Sequence, residues 1–405
     1  LIVITDPKMI DQVLLKLRDG ETFSGGAEFK ALSEAIGEHN PLTEKIDNRR
    51  KKEKSLALNN NFGHHTIRKK TPIFLKIAKE FVEKNFNFEN DQIIYSVSEF
   101  LPKYILRVTP ETIFNIKHEL SEISDSLSNL EQMVSDTILC KPRRLVRELD
   151  STNRKSKEEL NRIVKKILEL PKDNENLISK MQDENLDPTQ IESMIKTVLM
   201  IGFGTTKSTL TSAIYSLLKN PDYQEKLYAA LIQLDLPSID DLDLEDNEIY
   251  IKQVYDNLIK CKEINNFLLE VMRIYTPIPV QSRKSVVETS IGELNIPANT
   301  TVYLAPYLSH IDEKYWENPL QFNPSRFNDE LIKKKFYPFS TGQNICMGRF
   351  HALSSMISFI YFLVTNFRIV PPLDIMGNEI IQELEMADNF TYQFDKDLEI
   401  SLIKR

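Results

Sequence analysis

The run Phe339-Ser340-Thr341-Gly342-Gln343-Asn344-Ile345-Cys346-Met347-Gly348 offers a single thiol at the end of a glycine-bent loop. The apolar stretch directly behind it, Arg349 to Phe367 (RFHALSSMISFIYFLVTNF), is predicted to be a helix. A thiolate at a helix N-terminus feels the positive end of the macrodipole, which favours the charged, metal-ligating form. Gly342 permits a tight turn, and Gly348 lets a flat ligand approach backbone that has no side chain. Phe339 can pack against the sulfur and keep water from it. Most free cysteines are simply buried structural residues. Composition argues against that here: with 21 Phe, 11 Gly and 3 Cys in 405 residues, Phe-x-x-Gly-x-x-x-Cys-x-Gly arises by chance in about one such chain in ten thousand.

Upstream lies Glu270-Val271-Met272-Arg273, whose carboxylate and guanidinium share a face of a predicted helix. Between it and the cysteine comes Phe322-Asn323-Pro324-Ser325-Arg326-Phe327. These pieces, in this order, resemble the cytochrome P450 family over about residues 60 to 400, most of the chain. The resemblance implies a mainly α fold with small β-sheets (α+β), holding haem b between a long central helix and the cysteine loop. It makes Cys346 the axial ligand of the haem iron, with Phe339, Gly342 and Gly348 shaping the loop. It joins Arg326 to Glu270 and Arg273 in a buried charge-assisted network on the proximal side, a scaffold with no part in the reaction.

The chain is 41% hydrophobic and 27% charged, ample for a large core. No Gly/Ser-rich or Pro-rich linker and no repeat interrupts it, so residues 1–405 are expected to form one P450-like catalytic domain. A net charge of −8 argues against general nucleic-acid binding. Cys140, Cys261 and Cys346 form no metal-spaced cluster, which fits reduced thiols. The opening Leu1-Ile2-Val3-Ile4-Thr5-Asp6-Pro7 has no Met and resembles a start that lies well inside family members. The longest apolar run, Ile357 to Val364, is too short to span a bilayer. A membrane anchor would therefore lie upstream, and with one the expected location is the cytosolic face of the endoplasmic reticulum membrane; without one it is the cytoplasm.

Three- and four-residue apolar spacing predicts helices over Thr71 to Asn85, Glu111 to Thr137, Ser156 to Leu170, Asp187 to Asn220, Asp222 to Asp235, Glu248 to Tyr275 and Arg349 to Phe367. Short extended stretches are predicted at Leu1 to Thr5, Ser285 to Val287 and Thr300 to Leu304, with a C-terminal pair near Thr391 to Ile403. The basic segment Asn48 to Asn61 reads as a solvated loop.

The helix from Asp187 to Asn220 should start at an Asp187 N-cap with Pro188 at its first position and stop at Pro221. Ile201-Gly202-Phe203-Gly204-Thr205-Thr206 at its centre holds poor helix formers, so a kink or opened groove is expected. The resemblance makes this the oxygen-binding groove, where the family carries an acid followed by a threonine that together relay protons. Thr205 falls on the threonine. Gly204 falls on the acid, so the groove lacks its carboxylate, and an aspartate installed at 204 is expected to return it.

Two further departures concern the haem. Asn344 stands where the family usually has an Arg or His on a propionate; it can donate a hydrogen bond but has no charge. Arg283 and Arg68 are the compensating candidates, and His64 matches an aromatic or His found four residues before the latter. Ser355 stands where the family often carries a Glu. His310 falls in a family turn and is structural.

Tyr275 to Gln281 and Ala387 to Phe390 resemble lining of the distal pocket, which points to an apolar pocket over the haem and a small apolar organic substrate. Lys333, Lys334, Lys335 and Arg349 could form a basic proximal patch for an acidic redox partner. The expected function is a haem-thiolate monooxygenase that uses O2 and electrons from an NADPH-dependent flavoprotein or ferredoxin-type reductase. The alternatives are an isomerase, dehydratase or peroxygenase that needs no acid at 204, or a haem-binding protein without turnover.

Overall fold

A computed structural model describes residues 2–16, 22–37, 61–86, 93–138, 151–171, 176–236, 248–333, 336–342, 345–387, 389 and 391–405. Asn344, Cys140, Lys334, Lys335, Asp388, Phe390 and nearly all of the 48–61 loop lie outside them. The helices run α1 Pro7–Lys16, α2 Ala27–Ile36, α3 His64–Lys69, α4 Thr71–Asn85, α5 Val97–Phe114, α6 Ser124–Ile138, α7 Ser151–Leu168 and α8 Leu177–Asp183. They continue α9 Pro188–Lys219, α10 Pro221–Leu231, α11 Glu248–Val254, α12 Lys262–Ile274, α13 Pro306–His310, α14 Glu330–Lys333 and α15 Arg349–Asn366.

The central helix α9 is 32 residues long. Asp187 closes a capping box with Gln190: the Asp187 carboxylate accepts from Thr189 N–H (2.9 Å), and Gln190 accepts from Asp187 N–H (3.1 Å). Pro221 then opens α10 at its first turn, where its missing N–H costs nothing. α9 packs against α5, α6, α7 and α12, and α15 lies along α4. Their apolar faces merge into one large core that also takes in Trp316, Phe327 and Phe336 from the loops before the cysteine.

The sheets are small. The first has the order β1 (Ile2–Ile4), β7 (Thr301–Leu304), β4 (Gln281–Ser285), β2 (Phe23–Gly25), with β1 and β7 parallel and the other pairs antiparallel. The second has the order β3 (Ile94–Ser96), β9 (Glu399–Lys404), β8 (Phe367–Val370), and a hairpin joins β5 (Thr289–Ile291) to β6 (Leu294–Ile296). A lesser core of Ile4, Val13, Phe23, Val302 and neighbours fills the space under the first sheet. Mainly α with small sheets is the architecture observed.

Several boundaries differ from expectation for local reasons. The stretch Glu111 to Thr137 is not one helix. Asn115 takes a left-handed conformation (φ 57°) as the cap of α5, and α6 starts afresh at Ser124. Glu248 to Tyr275 also splits, at a π-turn over Tyr255–Ile259, where Asn265 Nδ2 donates to the carbonyls of Ile259 (2.7 Å) and Cys261 (2.8 Å). The strand expected at Ser285 to Val287 ends at Ser285, and Val286 and Val287 are exposed beyond it. The C-terminal strand pairs with β8 and β3, while Thr391 to Phe394 contributes only an isolated bridge, Phe394 to Met386.

Candidate functional site

The cysteine loop is built as a tight curl that ends on α15. Ser340 and Gly342 both take positive φ (59° and 69°). At Gly342 a side chain would be strained by that φ and would press on the Leu14 carbonyl of α1 at 3.1 Å, so glycine is required twice over. Cys346 N–H donates to the Phe339 carbonyl (2.9 Å), and Ile345 N–H to the Gly342 carbonyl (3.3 Å). Phe339 is half-buried against the main core and anchors the curl. Cys346 is exposed, three residues before the first residue of α15. This differs from the fate of Cys261, which is buried with its thiol pushed up by desolvation.

The opposite element is α9. It runs through Ile201 to Thr206 as unbroken helix despite its glycines. Thr205 donates its hydroxyl to the Ile201 carbonyl (2.9 Å), and Thr209 donates to the Thr205 carbonyl (2.9 Å). A Cβ added at Gly202 or at Gly348 would meet nothing within 4 Å. Central helix and cysteine loop therefore each present bare backbone to open space. A flat prosthetic group needs that room, and an exposed thiol at a helix head is the donor a haem iron takes. The residues present fit the group.

Gly204 is different. Its Cβ position is already filled by the Glu131 carboxylate of α6, so the sequence-based view of a groove without an acid is corrected: α9 supplies none, but α6 does. An aspartate at 204 has no room beside Glu131, and the restoring substitution expected from sequence is withdrawn. Glu131 is buried, and desolvation raises its carboxyl to about 7 against the opposing pull of the Lys207 ammonium 3.8 Å away.

Arg283 on β4 is buried, donating to the Ser282 carbonyl (2.7 Å) and to Gln281 (3.0 Å), with its guanidinium over the Phe29 ring. Its surroundings are interior. Arg68 is half-buried on α3. His64, at the head of that helix, shares a hydrogen bond with the Tyr255 hydroxyl (2.8 Å) and meets the Phe350 ring edge-on beside the cysteine loop. Ser355 is buried, and its carbonyl accepts from the Tyr104 hydroxyl (2.7 Å).

The charge network is fully assembled. Arg273 holds Glu270 in a two-point contact (2.8 and 3.0 Å), and Arg326 reaches the same carboxylate at 3.0 Å. Glu270 and Arg273 are wholly buried; Arg273 also donates to the carbonyls of His310 and Pro319 (2.6 Å each). Of the second segment expected to line the distal pocket, Asp388 and Phe390 lie outside the described residues; just beyond it, Tyr392 N–H donates to the Pro277 carbonyl (2.9 Å), and Tyr275, Tyr392 and Phe394 pack edge-on. The Lys333 side chain, Lys334 and Lys335 lie outside what the structure describes, while Arg349 lies over the Phe350 ring.

Sequence reasoning passed over His351, the third residue of α15. It is buried beside Phe74 and shares a hydrogen bond with Thr112 Oγ1 (2.8 Å). Desolvation, and then the Lys70 charge, hold its pKa down at about 3 instead of 6.5. A depressed folded pKa means stability present above pH 6.5 and lost as pH falls toward 3. His351→Gln removes that dependence. The stability gap between wild type and variant should therefore narrow by about 1.4 kcal/mol per pH unit below pH 6.5, or about 2 kcal/mol by pH 5. Urea melts at those pH values check it; a constant gap would mean His351 titrates normally.

The comparisons agree with this geometry. The "Cytochrome P450" family model matches residues 1–383. The chain is 26% identical to "Probable cytochrome P450 4p3" of Drosophila melanogaster over 363 residues, covering 78% of this chain and 67% of that one. It is 25% identical to "Cytochrome P450 4p1" of the same fly over 57% of this chain and 43% of that one. With "Cytochrome P450 6B6" of Helicoverpa armigera it shares 32% identity over 177 residues, 42% of this chain and 33% of that one. The chain thus spans less than half the length of most of these relatives. An exposed cysteine curled onto a helix head, a buried Glu–Arg–Arg network behind it, and a match across residues 1–383 lead to one conclusion: this chain belongs to the cytochrome P450 family, whose members bind haem.

Proposed function

We propose that residues 1–405 form one catalytic unit, a haem-thiolate monooxygenase that inserts one oxygen atom of O2 into a small apolar organic substrate. The observation that carries this is the placement of Cys346, exposed at the head of α15 by a loop whose positive-φ glycine allows no other residue. Haem, when bound, supplies the redox and oxygen chemistry. The chain's own residues do the rest. Cys346 Sγ would hold the iron, with the Phe339 carbonyl fixing the loop backbone behind it. Arg283 and Arg68 would meet the propionates, and their fixed positive charge would do the work that Asn344 cannot. Thr205 Oγ1 would hold and pass a proton. The edge-packed aromatic wall of Tyr275, Tyr392 and Phe394 would exclude water from the substrate side.

The isomerase, dehydratase and peroxygenase alternatives drew their weight from a groove lacking an acid, and the non-catalytic one from that together with Asn344 and Ser355. With a buried carboxylate standing against position 204, the monooxygenase is favoured. Electrons would come from an NADPH-dependent flavoprotein or a ferredoxin-type donor. If an anchor lies upstream of Leu1, attachment to the cytosolic face of the endoplasmic reticulum belongs to the same proposal, and otherwise a cytoplasmic location; no helix among the described residues is long and apolar enough to cross a membrane.

The test is turnover of a panel of small apolar compounds, with reductase and NADPH in one arm and a hydroperoxide alone in the other. Product that depends on both NADPH and O2 is expected. Product with hydroperoxide only would make the chain a peroxygenase, and product in neither arm would leave haem binding without catalysis.

A further inference from the structure

We propose that Glu131, projecting from α6 against Gly204, is the proton-supplying carboxylate of the groove, standing in from a second helix for the acid that α9 lacks. This rests on the monooxygenase reading and deepens it.

The geometry is specific. Ser128 and Glu131 lie one turn apart on α6, and Gly204 and Lys207 one turn apart on α9, so the two pairs face each other. Glu131 occupies the volume a side chain at 204 would need. Lys207 Nζ sits 3.8 Å from Glu131 Oε2, 3.4 Å from Ser128 Oγ, and over the Phe203 ring. Glu131 Oε2 is buried without a hydrogen bond of its own. A buried carboxylate whose one charge partner is an ammonium 3.8 Å away is poor architecture: desolvation costs it more than that ammonium returns. It is good chemistry, because such a group exchanges its proton near neutral pH.

A route to solvent is present; Glu131 does not itself line it, but its partner Lys207 does. Lys207 and Ser128 also line a groove shared with Asp125, Ser208 and Ser212, and that groove reaches the surface at the exposed Lys396 and Asp397. Among the described charged groups on α2, α5, α7 and α9, the elements packed against α6, Lys207 is the one whose charge acts on Glu131. Asp125, on α6 itself, shares the groove with Lys207.

The step balances. The protonated Glu131 carboxyl breaks its O–H bond and becomes a carboxylate. Neighbours on a helix face different ways, so the proton would pass by way of water to Thr205 Oγ1, whose own hydroxyl proton, released from the Ile201 carbonyl, moves on to the substrate side. A proton from water in the Lys207 groove restores the acid. Oxygen insertion consumes protons, so this supply is used at every turnover. Glu131 acts through Thr205 and is a positioning residue; it touches no substrate.

Two experiments on the haem-loaded protein test this. The first needs no turnover. Denaturation of wild type and Glu131→Gln is compared across pH. A carboxyl raised from 4.5 to about 7 costs the wild type stability as pH rises through that window, so the variant should gain on it and stop gaining above about pH 7. The expected swing is roughly a hundredfold in unfolding constant. Lys207→Met should push the end of the window higher, because the ammonium favours the carboxylate. A pH-independent difference would overturn the proposal.

The second is product formed per NADPH consumed. Glu131→Gln should lose coupling by about 10²-fold or more, with the pH optimum of coupling displaced. Gly204→Asp alone should lose haem, since it collides with Glu131. The double variant Glu131→Ala with Gly204→Asp moves the acid onto α9 and should recover coupling above Glu131→Gln, a rescue that a merely structural ion pair could not give. Wild-type turnover with unchanged coupling in Glu131→Gln, or no rescue in a double variant that holds haem, overturns the proposal alone. A wild type without haem or without turnover overturns the monooxygenase reading and this proposal with it.

Discussion

Glu270→Ala or Arg273→Ala should yield protein that is largely insoluble or free of haem. Glu270 accepts from both guanidiniums and from Asn323 N–H (2.8 Å), so its loss strands two cations and a backbone donor in the interior at once. Loss of Arg273 strands the carboxylate and leaves the His310 and Pro319 carbonyls without that donor. Arg273 also lies over the Trp316 ring, so its removal opens a packing defect beside the core. Breaking a buried pair typically costs about 3–5 kcal/mol, a large part of the roughly 5–15 kcal/mol that separates folded from unfolded chains. Arg326→Ala should cost less, because its remaining contacts go to the carbonyls of Glu317, Asn318 and Gln321 nearer the surface. Soluble yield and haem absorbance per mole of protein measure all three. Ordinary expression with full haem content in either of the first two variants would refute the network's role.

Much of this molecule was legible in its sequence because the determining signals are local. The Asp187–Pro188 start and Pro221 stop of the central helix are written in adjacent residues, and the structure realises them as a capping box and a first-turn proline. The i, i+3 spacing of Glu270 and Arg273 is enough to place them on one face. The α5 helix was missed over all but its last turn, Glu111 to Phe114. Pro102 and Pro110 argue against a helix on paper, yet both are buried within Val97–Phe114, where packing outweighs the lost backbone donors. The break at Asn115 was missed too, since asparagine gives only a weak sign that it will turn left-handed.

Glu131 shows the limit for the site. Gly204 was legible as a missing acid, but its replacement is 73 positions away by number and on another helix. A local signal did exist. Leu127, Leu130, Glu131 and Val134 share one buried face of α6, and an acid inside an apolar stripe asks for a reason. Sequence spacing cannot say which helix that stripe will meet. His351 was hidden for the same cause, its partner Thr112 lying on α5. Arg283, by contrast, was singled out from its place after the Glu270–Arg273 helix, and it lies buried between β2 and β7.

The most direct test of the central claim, that Cys346 is the thiolate of a haem site, is the spectrum of the reduced protein under carbon monoxide. The wild type should show the red-shifted Soret band of a thiolate-ligated haem. Cys140→Ser and Cys261→Ser should keep it, because neither thiol belongs to the curl that ends on α15. Cys346→Ser should abolish it, while far-ultraviolet circular dichroism confirms that the helices persist. A full band in Cys346→Ser, or its loss in Cys261→Ser with Cys346 intact and the helices unchanged, would contradict the account.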